Sequence, residues 1–384
     1  MNYSEKVKAI THSPIRDMMV RAAALEDVIS FAVGEPDFLS APNVIAAAKR
    51  ALDAGETKYA PGAGLTELRE AYVAYLQRTI GVSYGAGDCL VTTGGMGALF
   101  LGLTALLNPG DEVILSSPYW TNYGQQVMLC GGVPVCVQVN EDNQFVLSAQ
   151  DILRAMTPKT KVILLNSPSN PTGSVMDEAS LRAIAAIAQA HDLFVISDEV
   201  YRHILFDHRH YTSIAALPGM KERTLIVDSC SKTHAMTGFR VGFATGPSEL
   251  IAEMTKITED VWSCVNTSAQ YAALEALTNG DSYRDRMVCE YEMRRNYIYA
   301  RIQAIPRISC VKPTGAFYLF ANIQATGLSS CEFCDRLLDE QHVAIVPGDS
   351  FGTNASGYVR LSYATSMANI EEGMNRVERF IAGL

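Results

Sequence analysis

The chain has 384 residues, of which 48% are hydrophobic and 19% are charged, and its formal net charge is −10. This composition indicates a well-packed globular protein with one large and one smaller domain, and it excludes a disordered chain. Acidic and basic residues are interspersed, so nothing indicates a surface for nucleic acid or for an anionic membrane.

Targeting segments and metal motifs are not evident either. The N-terminal residues show no signal-peptide pattern, and no run of about 18 apolar residues predicts a transmembrane helix. Nine scattered cysteines, an odd number, are typical of reduced thiols in the cytoplasm. Cys331 and Cys334 lack partners at zinc-binding spacing, so we predict that they pack on one helix face. His208 and His210, beside Asp207, are predicted to lie in a polar loop.

Short β-branched segments alternate with amphipathic segments through the middle of the chain. The predicted strands are 89–92, 112–116, 135–138, 162–166, 193–197, 224–228 and 241–245. Predicted helices between them include 99–107, 178–190 and 247–256. This alternation predicts an α/β fold with a mostly parallel central sheet sandwiched by helices. In such sheets a ligand binds beyond the carboxyl ends of the strands.

The pattern changes after about residue 285. A charged helix is predicted over 284–305, followed by strands at 343–346 and 358–363 and a last helix at 367–381. We therefore predict a large domain of residues 46–284. A smaller α+β domain would combine residues 1–45 with residues 285–384.

Lys232 lies among groups that suit a phosphate. Ser229 and Ser231 precede it, and Arg240 follows it. A lysine amine condenses with a carbonyl only when it is unprotonated, so burial or a nearby cation must lower its pKa. Serine hydroxyls and an arginine fork suit a phosphate dianion. The segment indicates a covalently held phosphorylated aldehyde such as pyridoxal 5'-phosphate; a surface lysine in a polar loop is the alternative.

Asp198 directly follows the predicted apolar strand 193–197. Its carboxylate is expected to be partly buried and therefore to need a partner. A pyridinium N–H would serve, and the ion pair would make the cofactor an electron sink. Tyr201 could hydrogen-bond the ring 3-oxygen. The alternative is an aspartate that caps a helix after the strand.

Asn170 lies in the turn 166–173, at the end of another predicted strand. Pro168 and Pro171 restrict the residues before them to extended conformations, so the turn is expected to be rigid. It would hold the Asn170 amide where it could donate to the ring 3-oxygen. A turn without function is the alternative, but so many turn residues at a strand end favour a site loop.

Two further segments also follow predicted strands. The glycine-rich segment 92–99 frees backbone N–H groups at a helix N-terminus, where a phosphate could bind. It is neither a dinucleotide-binding motif, because Phe100 stands at the third glycine position, nor a P-loop. Trp120 follows the strand 112–116 and could stack on the cofactor ring, with core packing as the alternative.

Arg360 lies within the apolar strand 358–363. A buried arginine is costly unless it is paired. A substrate carboxylate held by both arms of the guanidinium would satisfy it, and a structural salt bridge is the competing interpretation.

Taken in order, these segments resemble the class I/II aminotransferases of the fold-type I pyridoxal phosphate enzymes, closest to the aromatic and aspartate types. The resemblance covers nearly the whole chain, from FAVGEPDF at 31–38 and TKYAPGAGLTELRE at 57–70 to the Arg360 strand. The joint match is more specific than any single motif.

The resemblance implies a role for each residue in ping-pong transfer of an amino group between an amino acid and a 2-oxo acid. Lys232 would be the Schiff-base lysine and the proton carrier, and Asp198 would pair with the pyridine nitrogen. Tyr59 would come from a partner subunit, which implies a homodimer with shared active sites. Asn170 and Tyr201 would contact the ring 3-oxygen, and Trp120 would cover the ring face. The phosphate would be bound by Ser229, Ser231, Arg240, Tyr59 and the backbone at Gly95 and Met96. The substrate would be bound by Gly34, Trp120, Asn170 and Arg360.

This chain lacks both of the basic residues that bind the distal carboxylate of the substrate in known aspartate aminotransferases. One aspartate aminotransferase branch takes an arginine from the neighbouring subunit, in a segment that corresponds to 257–283, where this chain has no arginine or lysine. A second branch uses a lysine at the position of Met96, which is apolar and adaptable here. Segments 13–18 and 326–328 also look like branches that accept apolar amino acids. We predict an aromatic or other apolar donor, with glutamate and 2-oxoglutarate as counter-pair.

Other functions remain open at this stage. Within the same class they are an aspartate or alanine aminotransferase. On the same scaffold they are a carbon–sulfur β-lyase or a cyclopropane-forming synthase, because one electron sink serves all these reactions. A non-catalytic ligand-sensing module is the alternative of a different class, although no helix-turn-helix segment is evident. A catalytically dead homologue is disfavoured because Lys232, Asp198, Arg240 and Arg360 are all present.

Overall fold

The computed structural model describes residues 3–8, 10 and 14–384. Its strands, in chain order, are β1 (Ile29–Ser30), β2 (Cys89–Thr92), β3 (Glu112–Ser117), β4 (Val133–Gln138), β5 (Thr160–Asn166), β6 (Phe194–Asp198), β7 (Thr224–Ser229), β8 (Gly242–Thr245), β9 (Ser309–Cys310), β10 (Tyr318–Asn322), β11 (Val343–Ala344), β12 (Val346–Pro347) and β13 (Tyr358–Ser362).

Helices cover these strands along the whole described chain. They are α1 (Glu5–Lys8), α2 (Pro14–Ala23), α3 (Pro42–Asp53), α4 (Thr66–Ile80), α5 (Gly94–Leu106), α6 (Asn122–Leu129), α7 (Ala149–Ala155), α8 (Glu178–Ala190), α9 (Cys230–Thr233), α10 (Ser248–Val261), α11 (Thr267–Asn279), α12 (Asp281–Ala304), α13 (Ser330–Gln341) and α14 (Met367–Ala382). In the described part of the chain, each helix is too short or too polar to cross a membrane.

Seven strands form the central sheet, in the order β2-β8-β7-β6-β5-β3-β4. Strand β8 pairs antiparallel with β2 and β7, whereas all the other pairs are parallel. All seven predicted strands are present in this sheet, with ends that differ by one or two residues. The predicted α/β fold with a mostly parallel central sheet is therefore confirmed.

Both faces of this sheet are buried, as β5 shows. Its residues Val162 and Leu164 pack in a core that also contains residues of α5 and α10. The intervening Ile163 and Leu165 pack in a second core, together with Ile184 of α8. Because side chains of a strand point alternately to opposite faces, an apolar residue is needed at every position. This explains the near-continuous apolar runs in the sequence.

The parallel strands end at one edge of the sheet, and this edge collects the predicted site segments. Strands β3, β6 and β7 end at Ser117, Asp198 and Ser229. Strand β5 ends at Asn166, which is the register partner of Asp198. Loops that are far apart in the sequence are therefore brought together at one edge of the sheet.

A smaller antiparallel sheet has the order β12-β13-β10-β9, and Arg360 of β13 lies opposite Phe320 and Val346. Near the N-terminus, β1 pairs in parallel with β11. Residues close to position 30 thus join elements from the last third of the chain, as expected for a second domain. The domain boundaries at residues 46 and 285 stay a prediction.

The sequence does not predict the helices α3, α4 and α11; α3 and α4 both pack against α11. The buried face of α11 is made largely of alanine, including Ala269, Ala272, Ala273 and Ala276. Alanine allows close helix packing but adds little to a hydrophobic pattern, so this face does not stand out in the sequence.

The cysteine pair Cys331 and Cys334 and the segment around Asp207 contact other protein side chains. Both cysteines lie on α13, and Cys334 is buried there as predicted. The prediction that Cys331 also packs is wrong, because Cys331 is exposed and contacts Asp349. Asp207 forms ion pairs with Arg295 at 2.9 Å and Lys312 at 3.2 Å. Within the described ranges, no three His, Cys, Asp or Glu side chains are grouped so that they could hold a metal ion.

Candidate active site

A cavity of about 370 Å³ lies at the carboxyl edge of the central sheet. It is lined by twelve of the thirteen residues that the sequence analysis singled out, namely Gly34, Gly95, Met96, Trp120, Asn170, Asp198, Tyr201, Ser229, Ser231, Lys232, Arg240 and Arg360. The remaining one, Tyr59, lies outside this cavity and is 88% exposed. Folding thus assembles residues from nearly the whole chain around one space.

Lys232 lies on α9, directly after β7, and is half-buried. Its Nζ donates to the carbonyl oxygen of Gly34 at 2.6 Å. The pKa of Lys232 is lowered to about 8, chiefly by burial; Arg360 and Arg240 act in the same direction, whereas Glu35 and Asp198 act in the opposite one. About a tenth of the amine is therefore unprotonated at pH 7, far more than for an exposed lysine, and a nucleophilic lysine reacts in this form.

Asp198 is 3% exposed at the end of β6. Its Oδ2 accepts a hydrogen bond from the Tyr123 hydroxyl at 2.6 Å, and its Oδ1 accepts one from the Val200 N–H at 3.3 Å. No basic nitrogen of the described residues lies within 4 Å of it. Burial raises the pKa of Asp198 to about 6. A buried carboxylate with two neutral partners has room for a cationic one.

The glycine loop and Arg240 form the next wall of the cavity. Gly94 has a φ of +72°, which favours glycine, and an added Cβ would lie 2.6 Å from Nη2 of Arg240 and would displace the guanidinium. Gly95 and Met96 follow in the first turn of α5, where backbone N–H groups lack helical acceptors. Arg240 is exposed, and within the described residues it donates only to the carbonyl oxygens of Thr237 and Thr93.

The hydroxyls of Ser229 and Ser231 lie beside this wall. They are buried and 2.7 Å apart, so they form one small polar cluster below Lys232. With Arg240 and the free amides of α5, the cluster provides cationic and neutral donors. The neighbouring Asp228 carboxylate is already paired with the Ser229 N–H, the Tyr72 hydroxyl and Arg202. Such a set of donors suits a phosphate group.

Arg360 is 2% exposed and has only neutral partners. Its Nη1 donates to Oδ1 of Asn170 at 3.0 Å and its Nη2 to the carbonyl oxygen of Ala32 at 2.6 Å. Its Nε has no hydrogen-bond partner. In residues 3–8, 10 and 14–384 no carboxylate lies within 4 Å of the guanidinium, so the structural salt bridge considered above is not formed.

Two tyrosines of the cavity were not singled out by the sequence analysis. The Tyr318 hydroxyl lies 2.9 Å from that of Tyr201, and the Arg360 guanidinium lies over the Tyr318 ring at 4.6 Å. Tyr318 also explains Gly34, because an added Cβ there would lie 2.4 Å from the Tyr318 hydroxyl. Tyr123 packs edge-on against Trp120, with ring centroids 5.3 Å apart. Tyr123 lies three residues after Trp120 in the sequence. This spacing is the signal that could have pointed to Tyr123.

Comparisons with known proteins agree with this geometry. A family model described as aminotransferase class I and II matches residues 26–377. The aspartate aminotransferase of Pyrococcus horikoshii is 40% identical over 383 residues, covering 99% of this chain and 97% of the relative. Aromatic-amino-acid aminotransferase 2 of Thermococcus litoralis is 39% identical over 384 residues, covering 99% and 98%.

The three-dimensional similarity is equally extensive. The structure of Thermus thermophilus aspartate aminotransferase with maleate aligns with a TM-score of 0.95 at 38% identity, covering 99% of both chains. This chain therefore belongs to the class I and II aminotransferase family. Its members depend on pyridoxal phosphate, and the protein is a pyridoxal-phosphate-dependent aminotransferase.

The residues of the cavity fit this cofactor. A lysine with a lowered pKa, a buried carboxylate without a cation and a cluster of phosphate-type donors all face one space. These three features match the aldehyde, the ring nitrogen and the phosphate of pyridoxal phosphate, respectively.

The lowered pKa of Lys232 predicts how cofactor capture depends on pH. In cofactor-free protein, the rate at which Lys232 bonds covalently to pyridoxal phosphate should rise about tenfold per pH unit below pH 8 and then level off, because only the neutral amine reacts. Stopped-flow absorbance between pH 6 and 9.5 measures this rate. Lys232→Arg is the control and should give no covalent signal. A profile that still rises about tenfold per pH unit between pH 8.5 and 9.5 would contradict the lowered pKa.

Proposed function

We propose that this aminotransferase takes its amino group from an aromatic or other apolar L-amino acid, with glutamate and 2-oxoglutarate as counter-pair. The observation that carries the proposal is the distribution of cations in the cavity. Its described lining contains three basic residues, Lys232, Arg240 and Arg360, each with a separate task. None is left to read a distal carboxylate, and the rest of the wall includes Val33, Met96, Leu99, Trp120 and Val200.

In this proposal the substrate α-carboxylate binds Arg360. The guanidinium is buried and lacks a counterion, so a carboxylate would regain the favourable interaction that burial removed. Asn170 holds the guanidinium through its Oδ1, which leaves its Nδ2 to donate elsewhere. Gly34 provides space beside Tyr318 and accepts from Lys232. The α-carboxylate and the reacting carbon would then lie on the side of the cavity where Lys232 stands.

The cofactor would be held by residues that surround the same cavity. When bound, it supplies an electron sink for the carbanion that forms at the substrate Cα. Asp198 would hold the ring nitrogen, Asn170 and Tyr201 the ring 3-oxygen, and Trp120 the ring face. The phosphate would be held by Ser229, Ser231, Arg240 and the backbone of Gly95 and Met96. Lys232, once its amine is free, would take the proton from the substrate Cα as general base and would deliver it to C4′ of the cofactor as general acid.

The first test compares amino donors in single turnovers. The cofactor-loaded protein is mixed with one amino acid at a time, without an acceptor, and its absorbance change and 2-oxo acid product are followed. Tyrosine or phenylalanine should react faster than aspartate or alanine. Arg360→Lys should lower kcat/KM for every donor by about 100-fold, because a two-pronged contact is lost. The exposed Arg286→Lys should behave as the parent does.

The outcomes of this test separate the candidate functions. Aspartate is the second candidate, since several relatives are named aspartate aminotransferases. If aspartate reacts fastest, the apolar-donor proposal is wrong. Release of pyruvate and ammonia without conversion of the cofactor would indicate a β-lyase. Full activity of Arg360→Lys would exclude its role as the carboxylate anchor.

Met96 provides a sharper test of the donor preference. Met96 borders the cavity in the first turn of α5, and its sulfur accepts from the Asn122 side chain at 3.4 Å. Met96→Lys should raise kcat/KM for aspartate relative to phenylalanine by about tenfold, because it adds a cation to an apolar wall. Met96→Leu keeps the size without the charge and should leave the ratio unchanged. If both variants change the ratio equally, the loss of the methionine side chain, and not the added charge, is responsible.

We also propose that two chains share their active sites in a homodimer. Arg240 is exposed in the single chain, although it is a candidate phosphate ligand. A depression beside it contains Asn266 and Ser268, and these two residues also line the depression that contains Tyr59. Exposed apolar side chains occur at Leu39, which is 79% exposed, and at Tyr59. A partner that covers this face would bring its own Tyr59 towards Arg240.

Mixing two defective variants tests this sharing. Tyr59→Ala should weaken cofactor binding and Lys232→Ala should abolish covalent binding, each in the homodimer. If Tyr59 serves the partner's site, co-expressed mixtures should regain about a quarter of the normal sites, because half of the random dimers carry one intact site. Spectrophotometric titration with pyridoxal phosphate counts these sites. Mixtures without any high-affinity site would show that Tyr59 serves its own chain or no site.

The proposal also covers the domain division of the chain and its location in the cell. We propose the division into domains 46–284 and 1–45 with 285–384, supported by the separate sheets and by the pairing of β1 with β11. We propose a cytoplasmic location, supported by nine free cysteines. The fraction of cysteines that react with a thiol reagent in freshly lysed cells tests this location.

A further inference from the structure

Tyr123 contacts two groups of the cavity at once. It lies on α6 and is 3% exposed. Its hydroxyl donates to Oδ2 of Asp198 at 2.6 Å, and its ring meets the ring of Trp120 at an interplanar angle of 84°. One side chain therefore connects the buried carboxylate with the aromatic residue proposed to cover the cofactor ring.

The bond to Tyr123 is the strongest contact of the Asp198 carboxylate. The second contact, from the Val200 N–H, is long at 3.3 Å. Burial raises the pKa of Asp198, and the hydrogen bond from Tyr123 lowers this pKa because it stabilises the ionised form. The hydroxyl also fixes the side chain, so that Oδ1 and Oδ2 are held in one orientation.

A second tyrosine–aspartate pair in the same protein differs from Tyr123–Asp198 in having a cation beside the carboxylate. The Tyr72 hydroxyl donates to Oδ2 of the buried Asp228 at 2.9 Å. Arg202 lies 2.8 Å from the same oxygen, so the charge of Asp228 is balanced by a protein cation. No cation of the described residues contacts Asp198. Lys232 lowers the pKa of Asp198 less than the Tyr123 hydrogen bond does, and Asp228 raises it, so Tyr123 is the side chain that stabilises its charge most.

We propose that Tyr123 is a positioning residue that keeps Asp198 ionised and aimed at the ring nitrogen of the cofactor. The inference rests on the role proposed for Asp198. An ionised, correctly oriented Asp198 keeps the proton on the ring nitrogen and so preserves the electron-withdrawing ring. Tyr123 need not touch the substrate to act in this way.

Tyr123→Phe removes the hydroxyl and keeps the ring against Trp120. The dissociation constant for pyridoxal phosphate should rise about tenfold, because a hydrogen bond to a charged group is lost. The acidic limb of the pH–rate profile of the first half-reaction should move to higher pH, because Asp198 is then protonated more readily. KM for the amino donor should change less than kcat, since the substrate anchor Arg360 is untouched.

Tyr72→Phe is the matched control, because it removes the same hydroxyl from a buried aspartate outside the cavity. It should lower thermal stability by a similar amount and leave the pH–rate profile unchanged. Tyr123→Leu removes the ring as well and reports on the contact with Trp120. A parent that fails to bind pyridoxal phosphate would contradict the proposed cofactor site itself.

With a functional parent, three results would overturn the role of Tyr123. One is a Tyr123→Phe variant with unchanged cofactor affinity and pH–rate profile. Another is an equal shift in Tyr72→Phe, which would indicate a general loss of stability. The last is a loss confined to Tyr123→Leu, which would show that only the ring matters.

Discussion

The buried Asp198 carboxylate is the interaction on which the rest of the site depends. Removing a carboxylate from water costs several kcal/mol unless a cation or good hydrogen bonds replace the water. At Asp198 the described chain offers a hydroxyl and one long N–H contact. The charge is therefore only partly compensated by the protein, and a cationic ring nitrogen would complete it. Cofactor binding and the stability of this part of the fold are thus coupled.

Buried arginines outside the cavity, unlike Arg360, form ion pairs with aspartates of the protein. Arg295, fully buried, forms an ion pair with Asp207 at 2.9 Å, and Arg202 forms one with Asp228 at 2.8 Å. Arg360 is buried to the same degree but has only carbonyl and amide partners. Asp198 and Arg360 have opposite charges, yet they are not paired with each other. Each is available to a ligand because the fold holds the two charges apart.

The same contrast bears on substrate choice. An amino acid needs one anchor for its α-carboxylate, and Arg360 is the residue that we propose for that task. A dicarboxylate needs a second cation, and the described walls near Met96 and Trp120 are apolar. Relatives with names of both types share about two fifths of the sequence with this chain, so overall similarity does not decide between them. The side chains at a few wall positions do.

The sequence by itself determined the α/β class, the strands of the central sheet and the segments at which chemistry was expected. It could do so because strands buried on both faces have an unmistakable apolar pattern, and because a lysine, an aspartate and an arginine are conspicuous at strand ends. Only the tertiary structure decided that Arg360 lacks a counterion, that Tyr123 and Tyr318 line the cavity and that Tyr59 lies outside it. These facts depend on contacts between residues far apart in the chain, such as Asp198 with Tyr123 and Arg360 with Asn170. Local sequence patterns report burial and periodicity, whereas such distances are set only when the strands and helices pack together.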